Sequence, residues 1–254
     1  MSWSLTSLLA VLALLLLSMA LYALRGRRRD ADAEGKNAQF LGGLGDFVLH
    51  WFLWLVAPAA TLSIRLGLTA DFYNFAGLAF GAAAGLAVAF GQLEIGGWAL
   101  VLSGVCDILD GRIARATGTT SRYGAFIDSL LDRYIELFFF VGLAFFARHT
   151  GQGGVAATLA LGSSVLVSYA RAMGESLGVE CTGGLMQRGE RLALLCLGSL
   201  ADPSASAALG RPKGALLTGV AFLIGAASLA TAVHRTVWIA RRLRASPRPG
   251  NEVT

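Results

Sequence analysis

Runs of about 20 mostly apolar residues follow one another along this chain, and that is the length at which a helix crosses the hydrocarbon of a bilayer. They predict spanning helices near 72–91, 96–116, 122–147, 153–173, 188–201 and 214–240, the short fifth one extending into an Asp202-Pro203 turn. An earlier run, Leu5 to Leu24, is followed rather than preceded by basic residues (Arg25, Arg27, Arg28, Arg29), which suits a retained anchor and not a cleaved signal peptide. Hydrophobic residues make up 55% of the 254 and charged residues 15%, so the chain reads as an integral membrane protein and not as a soluble domain with a large core.

Lys and Arg positions orient it. Arg148, Arg211 and Lys213 fall on one side of the spans. Arg25 to Lys36, Arg112, Arg115, Arg122, Arg188, Arg191 and the tail from Arg241 to Arg248 fall on the other, which is cytoplasmic by the positive-inside rule. The formal net charge of +5 then reads as orientation and attraction to anionic lipid; with no basic groove interleaved with aromatics, no nucleic-acid partner is expected. The aromatic stretch Phe47 to Leu66 carries Pro58 and Arg65, which favour a helix in the interface over a seventh span. Cys106, Cys181 and Cys196 have neither disulfide nor metal spacing and read as small hydrophobes. The expected organisation is an anchor (1–24), a polar cytoplasmic linker (25–45), a juxtamembrane helix (46–66), a membrane domain (67–244) and a polar tail (245–254).

Four aspartates interrupt this apolar background. They stand in Asp107-Ile-Leu-Asp110-Gly111-Arg112-Ile-Ala114-Arg115 and Gly124-Ala-Phe-Ile-Asp128-Ser-Leu-Leu-Asp132. Carboxylates at membrane depth are costly and mark function. On helices, the i, i+3 pair Asp107/Asp110 and the i, i+4 pair Asp128/Asp132 each share a face, about 4.5 to 6 Å apart along the axis. Two adjacent helices could aim all four at one space, where mutual repulsion calls for a cation. Oxygen ligands without nearby His or Cys suit Mg2+ or Mn2+ rather than zinc.

The pattern Asp107-x2-Asp110-Gly111-x2-Ala114-Arg115-x8-Gly124-x3-Asp128-x3-Asp132 resembles, at each fixed position, the signature of the CDP-alcohol phosphotransferase family. Eight specified residues at set spacings would coincide by chance about once in 10^10 placements. The resemblance covers about Leu68 to Arg242 and leaves the first helix outside. It implies an all-α bundle of six transmembrane helices, with the signature across the second and third, a juxtamembrane helix and homodimerisation. It implies transfer of a phosphatidyl group from CDP-diacylglycerol to an alcohol, with release of CMP. Asp107, Asp110 and Asp128 are then expected to ligate metal, two ions of Mg2+ or Mn2+, and Asp132 to share one or to act as general base. Gly111, Gly124 and Ala114 would let backbone and nucleotide approach closely, and Arg115 would brace carboxylates or phosphate. The loop residues Thr119, Thr120 and Ser121 read as caps, one of which could touch the nucleotide. Leu68-Thr69-Ala70-Asp71-Phe72-Tyr73-Asn74 resembles the segment opening the first family helix, with Ala70 in place of proline and Asn74 in place of threonine. Asp71 and Asn74 are thus candidate nucleotide contacts, and Asp71 is equally a candidate N-cap.

Ser168-Tyr-Ala-Arg171-Ala-Met-Gly-Glu175, Gly183-Gly-Leu-Met-Gln-Arg188-Gly-Glu-Arg191 and Thr231-Ala-Val-His-Arg235 resemble segments of the bacterial phosphatidylinositol phosphate synthase branch. There, positions matching Arg171, Arg191 and Arg235 cradle the acceptor's phosphate. Forked guanidiniums suit a dianionic phosphomonoester, and a neutral alcohol would leave them unpaired at membrane depth. Positive-inside anchoring, or pairing with Glu175 and Glu190, is the structural alternative for these arginines. Met173 stands where that branch usually has arginine, and Gly189 where it often has proline. The expected acceptor is inositol phosphate, with glycerol 3-phosphate and free inositol open. A divalent-metal transporter is the competing class; it would set acids near the midplane of repeated halves, and no internal repeat is found.

Overall fold

The computed structural model describes residues 3–24, 43–181 and 183–245. Eight helices run through them: α1 (Trp3–Leu24), α2 (Gly43–Arg65), α3 (Ala70–Ala89), α4 (Leu93–Thr117), α5 (Arg122–Phe146), α6 (Gly151–Ser176), α7 (Arg188–Ala208) and α8 (Ala215–Ala245). No strand occurs among the described residues, so the all-α expectation holds. Apart from 43–45, which open α2, and Ala245, which ends α8, the expected linker and tail lie outside the described residues.

α3, α6 and α8 are each long and apolar enough to cross a bilayer. α4, α5 and α7 fall short of that composition because of the charges they carry, among them Asp107, Asp110, Asp128, Asp132, Arg191 and Asp202. Their ends lie within a few residues of the expected spans, with one difference: Asp202 and Pro203 lie inside α7 and form no turn.

The chain divides into two compact units, Met1–Gly81 with Ala99–Tyr134, and Ala82–Trp98 with Ile135–Thr254. In the first, Val56 and Ala60 of α2 are buried with Leu109 and Ile113 of α4, and Tyr73 of α3 packs against them. Polar bonds tie the same helices together. Ser63 Oγ and Tyr73 OH lie 2.6 Å apart, Ser103 Oγ donates to the Gly77 carbonyl at 2.8 Å, and the Arg112 guanidinium donates to the Leu53 carbonyl. α1 joins through the Trp51 indole N–H, which donates to Ser18 Oγ at 3.0 Å, and through Tyr22, whose ring lies 5.6 Å from that of Trp54. α2 continues through Pro58.

In the second unit, small residues let helices touch by backbone. A Cβ placed on Gly142 of α5 would lie 2.8 Å from the carbonyl carbon and 3.0 Å from the Cα of Gly85 on α3. Gly225 of α8 leaves room for the Leu159 side chain and the Ala160 backbone nitrogen of α6. Asp202 is fully buried, and its carboxylate accepts the N–H groups of Gly214 at 2.7 Å and Leu217 at 2.9 Å, at the start of α8. That explains the correction at Asp202-Pro203. The acid caps the next helix from within α7, where its charge also meets the positive end of the α8 dipole. Asp202→Ala is expected to lower stability by about 3 kcal/mol, because two buried donors lose a charged acceptor. Unfolding in mixed micelles checks this, and an unchanged midpoint would show that the bonds contribute nothing.

Candidate active site

The signature is presented by the end of α4, a four-residue connection and the start of α5. α4 stops at Gly118, whose φ of 67° is the left-handed conformation that glycine adopts without strain, and the Thr119 N–H closes back on the Ala114 carbonyl at 2.9 Å. Ser121 caps α5, its Oγ accepting the Gly124 N–H at 3.0 Å. Asp107, Asp110 and Asp128 are thereby brought together: one carboxylate oxygen from each lies within 4.8 Å of the others. Asp110 is buried at 5% exposure, and the other two are half-buried. Three carboxylates this close, with no His or Cys in the group, form a hard-oxygen donor set. Asp132, one turn further along α5 and 8% exposed, is outside that triplet and has the Arg133 guanidinium 3.7 Å away.

A cavity of about 570 Å³ opens over these residues. Of the residues expected to hold the CDP-lipid, Asp71, Asn74, Gly111, Ala114, Arg115, Ser121 and Gly124 line it, as do Asp110 and Asp128, whereas Asp107 does not. A Cβ on Gly111 would come within 3.1 Å of Arg115 Nη1, so glycine leaves that guanidinium room to lie back along α4. The cap of α3 is Thr69, whose Oγ1 accepts the Phe72 N–H at 3.3 Å. Capping, one of the two roles expected for Asp71, therefore falls to Thr69, and Asp71 sits in the first turn on the cavity wall. The N-terminal turns of α3 and α5 both border the cavity, and their dipoles favour anionic oxygens there. The aromatic wall residue Tyr123 was not singled out by the sequence reading; its place just before Gly124 was the available signal.

The three arginines belong to the second unit. Arg191, at the head of α7, is 1% exposed. Its Nε and Nη2 meet Glu136 Oε1 at 2.9 and 2.8 Å, and its Nη1 donates to the Met186 carbonyl at 3.5 Å. Arg235, on α8, donates from Nε to the Gly183 carbonyl at 2.9 Å and from Nη1 to the Val167 carbonyl at 3.2 Å. Arg171, on α6, is exposed and pairs with Glu175 at 2.7 Å. Of the two acids named in the structural alternative, Glu175 is thus paired with Arg171, while Glu190 is occupied in the capping box of α7, accepting the Gln187 N–H at 3.0 Å. Arg191 and Arg235 hold carbonyls three residues apart on one connecting segment, Met186 and Gly183, and Arg235 also reaches Val167, one turn before Arg171 on α6, so the three are grouped. The partner of Arg191 was missed, although Asp128, Asp132 and Glu136 follow one another at i, i+4 and i+8 on α5.

Known proteins resemble this chain in sequence and in fold. The chain is 32% identical over 205 residues to the phosphatidylinositol phosphate synthase of Streptomyces avermitilis, covering 78% of this chain and 83% of that one. It is 38% identical over 137 residues to the archaetidylinositol phosphate synthase of Methanothermobacter thermautotrophicus, covering 54% and 69%. Its fold is similar to that of the Mycobacterium tuberculosis phosphatidylinositol phosphate synthase in a crystal structure with manganese and citrate. There the TM-score is 0.65 and the identity 27%, over 78% of this chain and 92% of that one. A second crystal structure of that enzyme, with CDP-DAG bound, matches with a TM-score of 0.64 and 28% identity, over 78% and 97%. The sequence profile described as CDP-alcohol phosphatidyltransferase matches residues 66–240, a stretch that contains the carboxylate triplet, the cavity's glycines and the three arginines. With that match over most of its length, the chain belongs to the CDP-alcohol phosphatidyltransferase family.

Proposed function

We propose that this multi-pass membrane protein transfers a phosphatidyl group from CDP-diacylglycerol to inositol phosphate and releases CMP. The observation that carries the reading is the carboxylate triplet, with oxygens within 4.8 Å of one another, beside a cavity that Asp110, Gly111, Ala114, Arg115, Gly124 and Asp128 of the signature line. A transporter would set its acids near the midplane of repeated halves, and the chain shows no internal repeat.

Asp107, Asp110 and Asp128 are the residues that would hold the divalent metal, two ions of Mg2+ or Mn2+, and their all-oxygen set fits it. When bound, the metal supplies charge neutralisation and Lewis-acid polarisation of the diphosphate. The protein's own groups do the rest. The helix N-termini and Arg115 hold the diphosphate, and Gly111 and Gly124 let the nucleotide come close to the backbone. Asp132 takes the proton of the acceptor hydroxyl as its oxygen bonds to the lipid-bearing phosphorus and the bond from that phosphorus to CMP breaks. Arg171, Arg191 and Arg235 hold the acceptor's phosphate, and the grouping of guanidiniums around the 183–186 segment supports a phosphorylated acceptor over a neutral one. The distribution of Lys and Arg supports a cytoplasm-facing site in the inner membrane. In this reading residues 67–244 are the catalytic domain, 46–66 a juxtamembrane helix and 1–24 an anchor, and the chain acts as a homodimer.

The test is CMP release in CDP-diacylglycerol micelles with inositol phosphate, glycerol 3-phosphate and free inositol as separate acceptors. Inositol phosphate is expected to turn over, and excess EDTA is expected to abolish release until Mg2+ or Mn2+ is restored. Turnover with glycerol 3-phosphate or free inositol alone would reassign the acceptor. No CMP from any acceptor would overturn the reaction.

A further inference from the structure

Glu136 stands outside the signature and outside the roles described so far. It is 5% exposed. One carboxylate oxygen takes both Arg191 donors, Nε at 2.9 Å and Nη2 at 2.8 Å, and the other, Oε2, is buried with no hydrogen-bond partner among the described residues. Stability does not account for such a residue. A buried ion pair is often no better than apolar side chains of the same volume, and an unsatisfied buried carboxylate oxygen is a further penalty.

What the glutamate does accomplish is geometric and electrostatic. Two donors on one acceptor fix the plane of the Arg191 guanidinium, and the Met186 carbonyl holds its far side. The charge of Glu136 also balances that of Arg191, which at 1% exposure would otherwise be a buried cation without a counter-charge. Arg171 has its own counter-charge in Glu175, and Arg235 is held by the Gly183 and Val167 carbonyls. Arg191 is therefore the member of the cluster whose position depends on a buried acid.

We propose that Glu136 is a positioning residue for the acceptor: it holds Arg191 in the orientation that receives the acceptor's phosphate, without touching substrate itself. The proposal rests on the reading of Arg191 as a phosphate ligand.

The test is steady-state kinetics of the full chain in CDP-diacylglycerol micelles with inositol phosphate, comparing Glu136→Gln, Glu136→Asp and Arg191→Lys with the unaltered protein. Glu136→Gln keeps the shape and removes the charge. It is expected to raise the acceptor KM about tenfold while leaving the KM for CDP-diacylglycerol within about twofold, and Glu136→Asp is expected to recover part of the loss. An unchanged acceptor KM, or a parallel rise in both KM values, overturns the proposal. Where Glu136→Gln does not fold, Glu136→Asp alone decides: a rise of about threefold confined to the acceptor supports the proposal, and equal shifts or none overturn it. Arg191→Lys separates the two layers. If it leaves the acceptor KM unchanged, the phosphate-ligand reading fails; if it raises that KM and Glu136→Gln does not, only the role of Glu136 fails.

Discussion

Asp128→Asn is expected to reduce CMP release by about 10^3-fold, a loss of roughly 4 kcal/mol of transition-state stabilisation. Asparagine has the shape of aspartate but not its charge, and Asp128 is the α5 member of a triplet whose oxygens lie within 4.8 Å of one another. Removing one of three crowded like charges relieves repulsion in the unloaded protein. The same variant should therefore melt no lower than the parent in metal-free micelles, and it should lose the stabilisation that added Mn2+ confers on the parent. A residue kept for structure would behave in the opposite way, with lower stability and spared turnover. Normal CMP release by Asp128→Asn would remove the triplet from the chemistry altogether.

Gly142→Ala is expected to prevent recovery of folded protein. Alanine in a helix interior normally gains about 1 kcal/mol over glycine. Here the added Cβ would lie 2.8 Å from the carbonyl carbon of Gly85 and 3.0 Å from its Cα, and backbone on a facing helix cannot turn aside as a side chain can. Overpacking against backbone should cost at least about 3 kcal/mol, enough to outweigh the gain in propensity. Gly162→Ala on α6, where a Cβ would meet nothing within 4 Å, is the matched control and should fold normally. Equal recovery of the two variants, read by gel filtration in detergent, would show that the close approach of α3 and α5 is not required.

How much of this was legible in the sequence depended on whether a residue's partner lay nearby in the chain. The helices and the carboxylate triplet were, because both follow from local periodicity: i, i+3 on α4, a short connection, then α5. Much of the lining of the cavity came from the family signature, and two members, Asp107 and Asp132, proved to stand off the cavity wall. What stayed hidden was long-range pairing. Nothing local announces that Glu136 bonds a residue 55 positions later, or that Thr231 Oγ1 receives the N–H groups of Leu185 and Met186. Asp202 misled for the same reason. Beside Pro203 it looked like the end of a helix, and the donors that make it an interior residue come only with the next one.

That capping bond bears on how the protein enters its membrane during synthesis. The donors to the Asp202 carboxylate are supplied 12 and 15 residues further along the chain, so α7 leaves the ribosome with an acid that nothing yet neutralises. A central aspartate opposes insertion of a lone helix by about 2.5 to 3.5 kcal/mol on translocon scales. α8, 31 residues long and strongly apolar, brings both the driving force and the missing donors. The unit that partitions into lipid is therefore the α7–α8 pair, and truncation before α8 would leave the nascent chain with a segment the translocon has reason to reject.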